Sequence, residues 1–298
     1  MIDPLRIAFL GVSGGTGRTT LVAHVAKALH QSGQVPMAFD LDPQNTLGLH
    51  LGMKPGESFG FCREEVTLEA IPQMLRRNGA RVPYLPFGAA SDQELRHMEH
   101  RMAQDPEWLP QRMRGFMPRN CSIALIDASA STGPWRRAAL EAADLVVMVA
   151  RPDPGCFAAL PHAERRLTEV LGPDELAARS VWVLSRFDAC RSLDRDIRLA
   201  FHHALRRRLL PVAITECVSL GEALARNETV DLQGGTQVAL ELCALTEELK
   251  SRAEAAGPRT DAPWPAESPR RLRLTAITGG HDDWEQGTTS RGRYHVKR

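Results

Sequence analysis

Residues Gly11-Val12-Ser13-Gly14-Gly15-Thr16-Gly17-Arg18-Thr19-Thr20 decide how this chain is read. They follow a hydrophobic run, Ile7-Ala8-Phe9-Leu10, and lead into Leu21-Val22-Ala23-His24-Val25-Ala26-Lys27-Ala28-Leu29. That order is strand, glycine-rich turn, helix. Glycines let the backbone pass close to an anion and present successive N–H groups, and the new helix adds the positive end of its dipole. The stretch reads as a phosphate-binding loop, with Thr19 and Thr20 where a hydroxyl ligand to magnesium is expected. It departs from the standard loop twice: Arg18 follows the last glycine in place of lysine, and Val12 stands where a glycine is expected. Arginine is a planar fork and lysine a compact point charge, so the exchange alters charge placement. An ordinary glycine turn is the competing reading, and the acidic motifs downstream weigh against it.

Two such motifs follow. Val35-Pro36-Met37-Ala38-Phe39 ends in Asp40-Leu41-Asp42-Pro43-Gln44-Asn45, and carboxylates at alternate positions of a strand end can both approach a cation and its waters. Cys121-Ser122-Ile123-Ala124-Leu125-Ile126-Asp127 is a buried parallel strand that delivers an acid at its C-terminal end, where α/β folds bind ligands. The small residues after it, Ala128-Ser129-Ala130-Ser131-Thr132-Gly133, suit a segment that senses a terminal phosphate.

Further strands are expected at 82–88 (interrupted), 145–150, 181–188 and 211–214. Helices are expected at about 66–75, in broken form over 95–117, and at 134–143, 156–171, 194–210 and 237–250. The arginines at 96, 101, 112, 114 and 119 offer either a basic face or a solvated helix surface. After Ser251 the composition shifts to proline, glycine, arginine and threonine. Residues 1–250 therefore read as one nucleotide-binding domain, and 251–298 as a mostly disordered tail with a short docking segment at Arg270-Arg271-Leu272-Arg273-Leu274.

Bulk properties narrow the function. The 298 residues carry a formal net charge of +1, which excludes a chain-wide basic footprint but not a local patch. The body sums to −2 and the tail to +3. Six scattered cysteines without a CxxC pair suit buried thiols in a reducing cytosol. No signal peptide and no apolar run of membrane-spanning length is visible, so a cytoplasmic protein without direct membrane insertion is expected.

With these motifs the chain resembles the MinD/ParA-type P-loop ATPases over about residues 5–245. Ser13-Gly14-Gly15-Thr16-Gly17-Arg18-Thr19-Thr20 stands for the family's loop, Asp40-Leu41-Asp42-Pro43-Gln44 for its switch I, and Ile123 to Asp127 for its Walker B strand. Within that group it is similar to the BcsQ (YhjQ) family of bacterial cellulose synthesis. The resemblance rests on the degraded lysines, Leu85-Pro86-Phe87-Gly88, Leu125-Ile126-Asp127-Ala128-Ser129, Ser185-Arg186-Phe187-Asp188, Leu210-Pro211-Val212-Ala213-Ile214 and Leu220-Gly221-Glu222-Ala223-Leu224-Ala225.

The resemblance implies an α/β, three-layer P-loop NTPase sandwich with a mostly parallel sheet, binding ATP and Mg2+. It puts phosphates on Gly14, Gly15, Thr16, Gly17, Arg18, Thr19 and Thr20, and the metal on Thr19, Asp40 and Asp127. Asp42 orients the attacking water, and Ser185, Arg186, Asp188, Val212 and Ile214 border the base. Where the family carries asparagine, this chain has Ser185, which loses one amide readout of adenine. Ser13 replaces a lysine that crosses the dimer interface to the partner's phosphates. Without that charge, and with Arg18 only partly compensating, hydrolysis is expected to be slow or absent.

Three functions compete. The first is an ATP-bound homodimer that supports cellulose secretion, with a BcsR-like small partner and recruitment to the inner-membrane synthase complex through BcsE, as the resemblance implies. The second is a segregation or positioning ATPase whose helices at 96–119 and 198–208 touch DNA phosphates without sequence preference. The third is an interaction scaffold that has lost nucleotide.

Overall fold

The hydrophobic runs become the strands of a single sheet. A computed structural model describes residues 3–60, 62, 82–129 and 133–259. Its strands are β1 (Leu5–Gly11), β2 (Pro36–Leu41), β3 (Tyr84–Leu85), β4 (Ile123–Ala128), β5 (Leu145–Ala150), β6 (Ser180–Phe187) and β7 (Leu209–Thr215). They lie in the order β3-β2-β4-β1-β5-β6-β7, and every described pairing is parallel. The expected mostly parallel sheet is thus wholly parallel among the described residues. Burial on both faces explains why β4 and β5 read as continuous apolar runs.

Helices cover both faces. Alternate residues of β1 divide between them: Ile7 and Phe9 face the side packed by α1 (Arg18–Gln31) and α10 (Gln237–Ala256). Ala8 and Leu10 face the side packed by α3 (Asp92–Gln104), α4 (Trp108–Phe116), α5 (Pro134–Ala142), α6 (Pro154–Leu171) and α8 (Ser192–Leu205). Three short helices had no clear sequence signal: α2 (Leu47–His50), α7 (Pro173–Arg179) and α9 (Val218–Ala225). Helix α3 opens on a capping box, with Ser91 accepting from the Glu94 N–H and Glu94 reaching back to Ser91 N.

Two boundaries differ from expectation. The helix expected to reach Leu210 stops at Leu205, where Arg206 turns with φ +55° and a 3-10 turn spans Arg206–Arg208. Leu209 and Leu210 are buried and open β7, so burial in the sheet overrides the helical run. The last helix continues past Lys250 to Ala256. The helix expected near 66–75 and the docking segment 270–274 lie outside the described residues, as do Ala130, Ser131 and Thr132.

At the end of the sheet where β1 begins, Asp144 is fully buried and gathers four donors. Arg6 gives its backbone N–H at 2.8 Å, Nε at 2.8 Å and Nη2, and Arg259 gives its backbone N–H at 2.8 Å. Arg179 donates to the Gly257 carbonyl at 2.9 Å in the same region. All six cysteines are free thiols. Among the described residues no helix is long and apolar enough to cross a membrane.

Candidate nucleotide and metal site

The loop lies where β1 hands over to α1, at the C-terminal rim of the sheet. Gly15 and Gly17 hold φ of +71° and +81°, a conformation that favours glycine. Gly17 is the residue before the helix, and its carbonyl takes the Leu21 N–H at 2.9 Å. A Cβ at Gly17 would lie 2.9 Å from the Ser185 hydroxyl, whereas one at Gly14 or Gly15 would meet nothing within 4 Å. The loop is therefore backed by β6 at Gly17 and open over Gly14 and Gly15. Thr16 is buried, and Ser13 is exposed with its Oγ 3.5 Å from the Gly14 carbonyl and from the Cys156 sulfur.

Strand register brings the acids together. Asp40 pairs with Asp127 across β2 and β4, one residue before each strand ends. Both are fully buried. The Asp40 carboxylate is fixed by backbone: Oδ1 accepts from Asp42 N at 2.9 Å and Oδ2 from Leu47 N at 3.0 Å. Asp42 accepts from Gln44 N at 3.0 Å. Burial and then the neighbouring Asp127 push the Asp40 carboxyl well above the usual carboxylate range. Burial also raises Asp127, against the pull of the Arg18 guanidinium.

Arg18 turns into this acidic pocket. Its Nε pairs with Asp127, its Nη2 reaches Asp42 Oδ2 at 2.7 Å, and Nη2 also meets the Thr19 hydroxyl at 3.1 Å. Burial disfavours the charge, but Asp127 and Asp42 outweigh it and hold the guanidinium above its ordinary pKa. The side chain expected on phosphates thus stands among the residues expected on the metal.

On the other side of the loop, Arg186 has φ +61°, an uncommon value for a side-chain-bearing residue. Its guanidinium grips Glu216 through Nε at 2.9 Å and Nη2 at 3.0 Å, and Nη1 reaches the Gly15 carbonyl at 3.3 Å. Ser185 and Arg186 therefore do adjoin the loop. Asp188 accepts from Cys190 N at 2.9 Å and faces Arg191 at 3.1 Å, organising the exit of β6. Ile214 is fully buried in the layer shared with α1 and α10, and Val212 is half-buried against it.

Two features escaped sequence reasoning. Arg136 on α5 is 7% exposed and donates from Nη1 to the Gly11 carbonyl at 3.0 Å, while its Nε has no partner. Beneath the loop, His24 Nδ1 lies 2.7 Å from the Thr20 carbonyl and its Nε2 accepts from Val230 N at 3.1 Å. His50 Nε2 approaches the Thr20 hydroxyl at 3.5 Å. Burial lowers both histidines to about 4. Neither feature has a local signal, since Gly11, Val230 and His50 lie far in sequence from the residues they meet.

The donors suit magnesium in part. Asp127 Oδ2 is buried without a hydrogen-bond partner, as an oxygen kept for a cation would be. Among the described residues no cluster of three or more His, Cys, Asp or Glu forms a metal cage. Magnesium typically uses one or two carboxylates plus substrate phosphates, so Thr19, Asp40 and Asp127 fit it as partners of a bound nucleotide. Arg18 must then leave the pocket.

Comparison with known proteins agrees with this geometry. The family model for cellulose biosynthesis protein BcsQ matches residues 5–246. A Rhizobium rhizogenes protein given the name replication protein A is 28% identical over 166 residues, 49% of this chain and 40% of the relative, so the match spans less than half of that protein. Among solved structures, the septum site-determining protein MinD of Pyrococcus horikoshii, complexed with Mg-ADP, superposes with a TM-score of 0.65 at 18% identity, over 86% of this chain and 99% of that one. Cobyrinic acid a,c-diamide synthase of Mycobacterium smegmatis, with a bound ATP analogue and magnesium, gives 0.65 at 17% identity, over 86% and 98%. The all-parallel sheet and the glycine loop at its rim carry the same conclusion: the chain has the MinD/ParA-type P-loop ATPase fold and belongs to the BcsQ family.

Proposed function

We propose that this chain is an ATP-binding, dimer-forming accessory protein of bacterial cellulose synthesis and secretion that hydrolyses nucleotide slowly or not at all. The observation that carries this reading is the placement of Arg18. Phosphoryl transfer needs positive charge fixed on the transferring group. Here the cation at the lysine position is held by Asp127 and Asp42, and Ser13 offers only a hydroxyl. The loop backbone over Gly14–Gly17 binds phosphate, and Arg186 and Ser185 flank the base side. Thr19, Asp40 and Asp127 are the residues that would hold magnesium, which would supply neutralising charge to the phosphates. Magnesium on Asp127 would compete with the ion pairs that hold Arg18, so nucleotide loading and Arg18 position are linked. Asp42, once released from Arg18, is the carboxylate that orients water. We propose partners of the BcsR and BcsE kinds, and the synthase complex, as the resemblance to the family implies.

The test is the solution mass of the purified chain with ATP and magnesium, with ADP, and with neither, while phosphate release is followed. An ATP-specific dimer with little release supports the reading, and rapid turnover refutes its second half.

One observation favours a second reading, a DNA-associated positioning ATPase. A groove of about 840 Å³ is lined by Arg195, Arg198, Arg206, Arg207 and Arg252 together with His202, Leu199 and neighbours. Of the other arginines first read as a basic face, Arg114 is buried and bonded to Asp3 at 3.1 Å, and Arg101 and Arg112 stack on Trp108. ATP-dependent duplex binding that weakens steeply with salt supports this second reading. No binding at low salt removes it.

A further inference from the structure

The geometry points to Arg136, backed by Arg166, as the binding residue for the terminal phosphate of a nucleoside triphosphate held on the loop, in place of the charge that Ser13 lacks. This inference rests on the nucleotide reading above.

Arg136 lies in the first turn of α5, immediately behind the loop. Its Nη1 is anchored on the carbonyl of Gly11, where β1 ends and the loop begins. The side chain is more than nine-tenths buried, its Nε lacks a hydrogen-bond partner, and among the described residues no carboxylate pairs with it. A buried guanidinium without a counter-ion is costly, and such groups persist where something else supplies the negative charge. Arg166, exposed on α6, adds like charge that disfavours the Arg136 cation, and among the described residues it forms no ion pair. Arg18 is the third guanidinium near this point, and in this structure Asp127 and Asp42 hold it. The first turn of α5 adds its own N–H groups. Gly133 precedes the helix and no side chain caps it, so the positive end of the helix dipole is left to the same space.

Three independent features thus direct unpaired positive character to one edge of the loop: Arg136, Arg166 and the uncapped turn. The base side proposed above lies on the opposite flank, where β6 meets the loop at Gly17 and Ser185. The phosphate chain has to run between the two. In this inference the terminal phosphate, which only a triphosphate carries, is the group that meets Arg136. The site therefore discriminates ATP from ADP.

Isothermal titration of the full-length chain with ATP and with ADP, in magnesium, tests this on wild type and on Arg136→Gln, Arg136→Lys and Arg166→Gln. Glutamine ends where the arginine Nε stands, so the substitution removes the charge and the Nη1 anchor together, and Arg136→Lys, which keeps the charge, separates the two effects. A charge-assisted hydrogen bond lost from a shielded site lowers affinity by roughly tenfold or more. We expect Arg136→Gln to lose ATP affinity by about that factor, with ADP changed less than about twofold. Arg136→Lys keeps most of the preference, and Arg166→Gln loses a smaller part. A ratio of ATP to ADP affinity that stays at the wild-type value in Arg136→Gln overturns the inference while leaving nucleotide binding intact. Should Arg136→Gln fail to fold, exposed Arg166→Gln decides, and an unchanged ratio there overturns the inference. A wild-type chain that binds neither nucleotide overturns the functional reading and this inference with it.

Discussion

Replacing Arg18 by glutamine removes the one guanidinium that holds two buried carboxylates together. The side chains of Arg18, Asp42 and Asp127 are 8%, 9% and 0% exposed, so solvent screens them little. Breaking one side of a buried ion pair costs roughly 3–5 kcal/mol, because the remaining charge stays buried without compensation. For a domain of this size a kilocalorie corresponds to about 2–4 °C in Tm, so a fall of about 10 °C is expected in EDTA. Asp40 and Asp127, already pushed above the usual carboxylate range, rise further once Arg18 is gone. A carboxyl raised in the folded state binds its proton there more readily than in the unfolded chain. Its stabilising effect is present at low pH and is lost as pH rises through the folded pKa, so the deficit is larger at pH 8 than at pH 6. Magnesium should return part of it, because a ligand at 100 times its Kd adds about 2.7 kcal/mol. Urea unfolding at both pH values, in EDTA and in millimolar MgCl2, measures all three effects. A deficit below about 1 kcal/mol at pH 8 would refute the view that Arg18 is the neutralising charge of this pocket.

Other perturbations test other parts of the fold. His24 and His50, lowered to about 4 from 6.5 by burial, stay neutral in the native chain while the unfolded chain takes up protons. Stability is therefore lost as pH falls from 6.5 towards 4, by about 3 kcal/mol per histidine, and urea midpoints across that window report it. Gly17→Ala puts a Cβ against Ser185 and forces φ +81° on a residue that resists it, costing about 1–2 kcal/mol and weakening nucleotide binding. Adding Ser185→Ala relieves the contact but not the backbone strain, so calorimetry should show partial recovery. Asp144→Ala takes this carboxylate from the Arg6 guanidinium and the acceptor from the Arg259 N–H, with an expected loss of about 3–5 kcal/mol by thermal denaturation.

What the sequence made legible has a common physical cause. β1, β4 and β5 are buried on both faces, so their apolar runs stand out without reference to partners. The loop is legible because Gly15 and Gly17 adopt a conformation that few other residues accept. Asp40, Asp42 and Asp127 were legible because each acid stands at or just beyond the end of such a run. The missed features depend on distant partners. Nothing around Arg18 signals that Asp127, 109 positions away, captures its guanidinium. Arg136 reads as one of two consecutive helix arginines, and only its contact with Gly11 separates it from exposed Arg137. Arg206-Arg207-Arg208 reads as a favourable helix end, yet the pairing of Leu209 with Trp182 stops the helix at Leu205.

Asp144 and its four donors also govern how the protein can be handled. They tie Arg259, the last described residue, to the end of the sheet where β1 starts, while the glycine loop lies where β1 finishes. Seven residues of strand at about 3.3 Å each separate the two by roughly 20 Å. A fluorophore or surface linkage attached at Arg259 itself therefore sits on the rim remote from the loop. Immobilised through that residue, the molecule presents its glycine loop outward.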